Sequence, residues 1–250
     1  YSDANVSGRD SISHALHSLW EEVGIDPMNP LEEYLSPGSC VVIKPNWVMD
    51  TNPTGHGLDC LVTNATVIAA AIEWCLRAMK GRGSIVVGDS PIQDCDLPKL
   101  MEAAGYGALV SRYASASVPV HWRDFRRATL TKSKGIWNRE TSSRPMCDWV
   151  LFDLGSESLL EPIGQDADRF RVTKYDPDQM REAHSPGRHR YLIAREVVEA
   201  DVIINLPKLK THRKTCVTGS LKNLVGVNGN KDYLPHHRLG GRQAGGDCYE

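Results

Sequence analysis

The seven cysteines of this 250-residue chain include no C-x-x-C pair. Iron–sulfur and zinc modules hold their metal with closely spaced cysteines, so the sequence argues against an iron–sulfur cluster or a zinc module built by this chain alone. An odd number of cysteines also disfavours a complete disulfide framework. We therefore expect a reducing, cytoplasmic setting.

Long apolar runs are missing as well. No stretch approaches the roughly 18 apolar residues that a membrane-spanning helix needs, and the start of the chain does not resemble a secretion signal. We therefore expect no membrane partner. The chain begins at Tyr1 rather than at Met, so the alternative of a removed leader stays open.

A strong net charge and the common nucleotide-binding and hydrolase motifs are also absent. The formal net charge of -2 gives no reason to expect a nucleic-acid partner. The sequence has no G-x-S-x-G elbow, no Walker A loop and no G-x-G-x-x-G fingerprint, so serine-hydrolase, P-loop and dinucleotide-binding functions lack support.

The residues that are present favour an α/β fold. Short β-branched runs at Cys40–Ile43, Ser84–Gly88 and Val202–Ile204 predict buried strands, and an apolar stripe in Asn64–Lys80 predicts a helix between the first two. A strand, a helix and a strand in this order form a βαβ unit. The prediction is a mostly parallel, Rossmann-like sheet with helices on both faces. Further helices are predicted over Ser11–Val23 and from about Leu97 to Gly105, where the glycine should end the second one.

We predict one domain over residues 1–250. The charged middle, at about 118–192, is interpreted as an insertion or small subdomain with antiparallel strands, of which Phe170–Lys174 is one. Its basic residues Arg123, Arg126, Arg127, Lys132 and Lys134 are interpreted as a solvated insertion. The tail GGRQAGGDCYE is rich in glycine, and a domain rarely closes on such a sequence. We therefore expect a natural C-terminal part beyond residue 250.

Basic side chains crowd the loop that follows the third predicted strand. They are Lys208, Lys210, His212, Arg213 and Lys214. Gly219 and Ser220 then open a short helix that carries Lys222 and Asn223. Cations followed by a helix N-terminus are a favourable setting for an anion. The alternative is a solvated surface, because charge runs usually lie there.

Polar residues follow the other two predicted strands. Lys44 and Asn46 come after the first, and Asp89 and Ser90 after the second. The carboxyl ends of parallel strands meet at one edge of a sheet, so we expect these side chains and the basic loop to face one crevice. Asp89 has an equal alternative as a turn or cap residue, since Asp-Ser-Pro is good turn chemistry.

This arrangement predicts an enzyme acting on a small anionic metabolite, phosphorylated or carboxylated. Lys208 would stabilise charge, and His212 or Asp89 would transfer protons. The expected ligand-binding residues are Lys44, Asn46, Ser90, Lys210, Lys222 and Asn223. Two alternatives stay open: a non-catalytic binding module for a metal, cofactor or anionic ligand, and an interaction protein whose basic loop meets an acidic partner.

A divalent metal is a second possible scheme for the same residues. The candidate ligands are Asp89, His56, His212, His236 and His237. Adjacent His236 and His237 lack the usual helical ligand spacing. A lone histidine is more often a hydrogen-bonding residue than a ligand.

Four ordered motifs, VVIKPNW, IVVGDSP, ADVIINLPKLKTH and TGSLKNLVG, together resemble the bacterial and archaeal DUF362 family. The resemblance covers the chain from about Cys40 to its end. Some members carry a ferredoxin-like C-terminal segment with C-x-x-C-x-x-C clusters, which this sequence lacks, so iron–sulfur redox activity is not carried over. The tail NKDYLPHHRLGG resembles a subgroup found beside polysaccharide-related genes.

The family is also distantly similar to the lactate racemase type of fold. In that fold an α/β domain uses lysines and histidines to hold a nickel-bearing cofactor. This likeness concerns the fold and does not transfer the function.

Overall fold

The structure is a computed structural model that describes residues 3–172, 176–212 and 216–247, with side chains from residue 12 onwards. The chain forms two compact units. The first combines Tyr1–Asp89, Asp96–Asp124 and Glu199–Lys210, and the second combines Ser90–Cys95, Phe125–Val198 and Thr211–Glu250.

Helices and strands alternate in the first part of the chain, and short strands dominate the later part. The α-helices are α1 (Asp3–Glu22), α2 (Ala65–Met79), α3 (Leu97–Ala103), α4 (Tyr106–Tyr113), α5 (Pro177–Ala183), α6 (Arg195–Val198) and α7 (Ser220–Asn223). The strands are β1 (Cys40–Lys44), β2 (Ser84–Asp89), β3 (Val120–Asp124), β4 (Ala128–Ser133), β5 (Ile136–Thr141), β6 (Trp149–Asp153), β7 (Phe170–Arg171), β8 (His184–Ser185), β9 (Arg188–Ala194), β10 (Val202–Asn205), β11 (Lys210–His212), β12 (Cys216–Thr218) and β13 (His237–Arg238).

The first unit is built on a four-stranded sheet with the order β10-β1-β2-β3. All three pairings are parallel, and the central residue Val42 lies beside Ile203 on one side and Val86 on the other. β-Branched residues dominate the central strands because such side chains pack well on a pleated surface that is buried. The three strands predicted from apolar runs are therefore confirmed as neighbours in one parallel sheet.

Helix α2 is confirmed at its predicted position, and local signals mark both of its ends. The side chain of Asn64 accepts a hydrogen bond from the Thr66 N–H at 2.8 Å and caps the helix start. Such a cap stabilises a helix by about 1 kcal/mol. Lys80 ends the helix in the left-handed conformation, with φ of 50°. The apolar stripe between these ends includes the fully buried Ile68 and Ile72.

Two helical features differ from the prediction. Helix α1, predicted from Ser11, begins at Asp3, and α4 follows α3 after only a short break. Gly105 separates α3 from α4 with φ of 72°, a left-handed value that glycine adopts at little cost. A glycine expected to end the helical region therefore only redirects it.

The second unit contains antiparallel sheets. β9 pairs with both β6 and β8, β4 pairs with β5, and β7 pairs with β13. Together with the parallel sheet these pairings confirm the predicted α/β class with antiparallel strands in the middle. The predicted strand Phe170–Lys174 is confirmed only at Phe170 and Arg171, and residues 173–175 lie outside the described residues.

The β4–β5 hairpin was not predicted from the sequence, because its basic residues were interpreted as a solvated insertion. Lys134 and Gly135 connect the strands, and both have positive φ angles, 47° and 82°. Two consecutive positive φ angles match the tightest hairpin turns.

Membrane-spanning helices are absent from the part of the chain that the structure describes, since none of its helices has the length and apolar character to cross a bilayer.

Candidate functional site

A buried ion pair joins the carboxyl ends of β1 and β2. The Lys44 ammonium lies 2.8 Å from a carboxylate oxygen of Asp89. Lys44 also donates to the Pro45 carbonyl at 2.6 Å, and Asp89 accepts the Trp47 N–H at 2.6 Å. Both side chains are buried, with 0% and 3% of their surface exposed. The pair therefore neutralises two charges that burial alone would make very costly.

The electrostatics of Lys44 follow from this burial. Removal from water disfavours the charged ammonium and lowers the pKa of Lys44, while the charge and hydrogen bond of Asp89 oppose that shift. Lys44, which was predicted to bind a ligand, thus forms an ion pair with Asp89 in this structure.

Asn46 and Lys210 approach the same backbone oxygen in the first unit. The Asn46 amide donates to the Leu61 carbonyl at 3.0 Å, and the Lys210 ammonium donates to it as well. The hydroxyl of Thr63 accepts the Asn46 N–H at 2.8 Å and donates to the Leu206 carbonyl at 2.7 Å. The segment after β1 and the segment after β10 are therefore both hydrogen-bonded to the loop that contains Leu61 and Thr63.

Lys208 lies between Leu206 and Lys210 and is half-buried. Its segment follows β10, which is the neighbour of β1 in the sheet. The first unit thus groups five predicted site residues near the ends of adjacent parallel strands: Lys44, Asn46, Asp89, Lys208 and Lys210.

The second unit holds the other predicted residues except His56. Lys222 lies 2.8 Å from the Nε2 atom of His236. The ring of His236 is 6.0 Å from that of His212 and 5.9 Å from that of His237, measured between centroids. Asn223 ends α7, a helix of only four residues. Arg213 and Lys214 lie outside the described residues.

Ser90 belongs to the second unit although it directly follows Asp89 in sequence. Its N–H donates to the Gly226 carbonyl at 2.9 Å, and its carbonyl accepts the Lys231 ammonium at 3.2 Å. Lys231 is buried, and no motif in the sequence predicts a role for it. The only local signal was its position after the turn-forming residues 228–230. The crevice predicted to contain all nine catalytic and ligand-binding residues stays a prediction.

The metal candidates are distributed over several elements. His56 is exposed in the loop before α2, and Asp89 is paired with Lys44. Among the residues that the structure describes, no three His, Cys, Asp or Glu side chains form a group suited to a metal ion. Metal binding therefore remains a prediction.

A second buried polar group in the second unit was also missed. His184 and His189, which face each other across β8 and β9, have their Nδ1 atoms 3.3 Å apart. The outer nitrogens lie 3.1 Å from the Tyr233 carbonyl and 3.0 Å from the Glu161 carboxylate. Each neutral imidazole has one nitrogen that donates and one that accepts, so the tautomers decide which atom donates in each contact.

Burial sets the protonation state of His184. It lowers the pKa of His184 to about 4, and the Tyr233 carbonyl only partly opposes the shift. His184 is therefore neutral at neutral pH.

A cleft of about 800 Å³ opens in the first unit beside the start of α2. Alanines line much of it, and its charged residues are Asp59, Glu73, Glu102 and Arg112. None of the predicted site residues lines this cleft. Its three carboxylates against one guanidinium make it a poor anion site.

Comparison with known proteins finds a distant relative of this chain. The chain is 23% identical over 220 residues to the thylakoid-associated protein sll1697 of Synechocystis sp.. The match covers 88% of this chain and 49% of that protein, so the chain spans about half the length of the relative. No solved structure matches the chain. The model of the domain of unknown function DUF362 matches residues 41–139 and 136–245, and the chain therefore belongs to the DUF362 family.

Proposed function

We propose that the protein binds a small anionic metabolite, phosphorylated or carboxylated, through Lys208 and Lys210 in the first unit. An enzyme that acts on this metabolite is the first hypothesis. The observation that carries the proposal is the placement of these lysines directly after β10, at the carboxyl edge of a parallel sheet. Ligands of open α/β folds bind at this edge.

The charge balance of the first unit supports this assignment. Asp89 is the acidic group at the ends of the central strands, and Lys44 already neutralises it at 2.8 Å. Lys208 and Lys210 add two further positive charges on the segment that follows β10. A bound anion would accept hydrogen bonds from both ammonium groups. Such charge-assisted hydrogen bonds are the strongest that side chains offer.

Asn46 supplies a polar group for orientation. Its amide already shares the Leu61 carbonyl with Lys210, so both side chains lie on the same loop. A ligand oxygen can replace that carbonyl as the acceptor for Lys210. Binding would then require only a side-chain movement.

Turnover needs proton transfer, and Asp89 is the candidate within the first unit. Its carboxylate accepts from Lys44 and from the Trp47 N–H. To act as a proton donor, Asp89 would first take a proton from the Lys44 ammonium, which would leave Lys44 as a neutral amine. Burial lowers the pKa of Lys44 and makes this exchange easier. The sequence-based assignment of His212 to acid–base work stays a separate hypothesis, which His212→Gln tests.

The same observation favours a second hypothesis, a binding module without turnover. Asp89 and Lys44 are buried and bonded to each other and to backbone groups, as in a pair that only holds two strands together. The enzyme and the binding module differ in whether a product forms.

Two experiments test the proposal. Native mass spectrometry of gently purified protein, with elemental analysis, detects a co-purified anion or metal. A thermal-shift screen of phosphorylated and carboxylated metabolites, followed by product analysis, then separates the hypotheses. Product formation supports the enzyme, and stoichiometric binding without product supports the binding module. Binding only to acidic proteins, with strong salt dependence and no small-molecule ligand, would contradict both.

A further inference from the structure

The β4–β5 hairpin of the second unit has a fixed base and an exposed tip. At the base, the Leu130 N–H donates to the Gln93 carbonyl at 2.9 Å, and Arg139 forms a 2.6 Å ion pair with the buried Asp232. In contrast, all residues of the tip, 132–137, are exposed. The tip is therefore held in place by its base and open to a partner.

The tip combines cations with large apolar side chains. Ile136 is 68% exposed and Trp137 is 43% exposed. The Lys132 ammonium lies 5.5 Å from the centroid of the Trp137 ring, and Lys134 occupies the turn. No acidic residue lies between 132 and 137. Exposed tryptophan and isoleucine on a two-stranded ribbon cost solubility unless a partner covers them.

The pairing of the strands distributes these residues over both faces of the hairpin. Lys132 is opposite Trp137 on one face, and Ser133 is opposite Ile136 on the other. A groove on a protein partner covers one face of a ribbon. Apolar groups on both faces at the same end instead suit a medium that surrounds the tip.

We propose that this hairpin tip inserts into the surface of an anionic lipid bilayer. Tryptophan favours the headgroup region, where its ring meets the acyl boundary and its N–H stays near water. Lys132 and Lys134 would contact anionic headgroups, each contributing favourably near such a surface. The proposal departs from the expectation of no membrane partner. That expectation rested on the lack of a spanning helix, which a peripheral contact does not need.

Single-stranded nucleic acid is the competing partner, since bases stack on aromatic rings between cations. Two observations favour lipid instead. Ile136 is the most exposed apolar side chain of the hairpin and offers no stacking surface. Only two cations lie at the tip, too few to track a phosphate backbone.

Vesicle flotation of the full chain tests this proposal. Vesicles of phosphatidylcholine alone are compared with vesicles that also contain phosphatidylglycerol, and we expect binding only to the anionic ones. Replacing the two lysines by Lys132→Gln and Lys134→Asn should weaken partitioning about 25-fold, since each lysine contributes roughly 1 kcal/mol near such a surface. Asparagine at 134 tolerates the left-handed turn conformation.

The apolar contribution has its own variant and control. Ile136→Ser with Trp137→Ser should abolish flotation, and brominated lipids should quench Trp137 in the parent protein but show less quenching in Trp137→Phe. Thr131→Ser with Asn138→Ser, in the same hairpin away from its tip, should bind as the parent does. Thermal unfolding of each variant shows whether the fold is retained.

Three results would overturn the proposal. One is equal binding to neutral and anionic vesicles, and another is flotation that the tip variants do not change. The third is tight binding of a single-stranded oligonucleotide that depends on Trp137, without any binding to vesicles.

Discussion

The Lys44 ammonium and the Asp89 carboxylate lie 2.8 Å apart at the ends of two adjacent parallel strands, and both are buried. Lys44 compensates the charge of Asp89, and Asp89 in turn fixes the backbone of Trp47. The ligand-binding role of Lys44 stays a prediction. The two lysines of the proposed anion site, Lys208 and Lys210, lie on the segment after β10.

The first prediction concerns the stability of this pair. Asp89→Asn removes the counter-charge and leaves a buried ammonium, so it should lower the free energy of unfolding by about 3–5 kcal/mol. Lys44→Met combined with Asp89→Leu should recover much of that loss, because an apolar pair needs no desolvation of charge. Urea denaturation measures both.

A matched control for this prediction is Glu102→Gln, which removes an exposed carboxylate from α3. It should change the free energy of unfolding by less than about 0.5 kcal/mol. If Asp89→Asn were as mild as this control, the ion pair would not be a structural requirement.

The second prediction compares two glycines that have different surroundings. An added Cβ at Gly229 would meet the indole nitrogen of Trp149 and lie 2.8 Å from the Phe125 carbonyl, which that nitrogen donates to. Gly229→Ala should therefore destabilise the protein by about 1–3 kcal/mol, the usual range for overpacking.

Gly107 in α4 provides the control, because an added Cβ there meets nothing within 4 Å. Gly107→Ala should stabilise the protein by about 0.5–1 kcal/mol, since alanine is the better helix former. Thermal and urea unfolding give both values. Equal effects of the two substitutions would show that the contact at Gly229 is not tight.

The third prediction is a pH dependence that comes from His184. Its pKa is about 4 in the folded protein, lowered mainly by burial, against 6.5 in its unperturbed state. The unfolded chain therefore binds a proton that the folded protein does not bind, as the pH falls from 6.5 towards 4. Stability from this group is complete above pH 6.5 and is lost below it, by up to about 3 kcal/mol.

The measurement is urea unfolding across this pH range for the parent protein and for His184→Gln. Other carboxylates titrate in the same range, so the quantity of interest is the difference between the two slopes. The parent should lose stability more steeply than the variant. The exposed His14→Gln should leave the slope of the parent unchanged. Parallel curves for the parent and His184→Gln would contradict the assignment.

Much of the first unit was predictable from sequence because its signals are local. The β-branched runs at β1, β2 and β10 each end at a lysine, aspartate or asparagine followed closely by proline, and the cap at Asn64 marks the start of α2. The adjacency of Lys44 and Asp89 also followed from the rule that parallel strands share an edge. Burial of the Lys44 ammonium did not, because it depends on how side chains pack around the edge.

The features that were missed depend on non-local contacts or on weak patterns. The β4–β5 strands have exposed side chains on both faces near the tip, so the hairpin shows no apolar alternation from which a strand could be predicted. Lys231 is buried through a contact with Ser90, which lies 141 residues earlier in the sequence. The contact between His189 and Glu161 likewise requires two elements to meet.

The most direct test of the central claim is a calorimetric titration with inorganic phosphate, and with any metabolite found by the thermal-shift screen. Lys208→Met with Lys210→Met should weaken binding by about 100-fold while the protein stays folded, since two charge-assisted hydrogen bonds are lost. Lys99→Met with Lys132→Met, which removes the same charge from α3 and β4, should bind as the parent does. Equal affinity of the parent and the folded Lys208/Lys210 variant would contradict the proposed site.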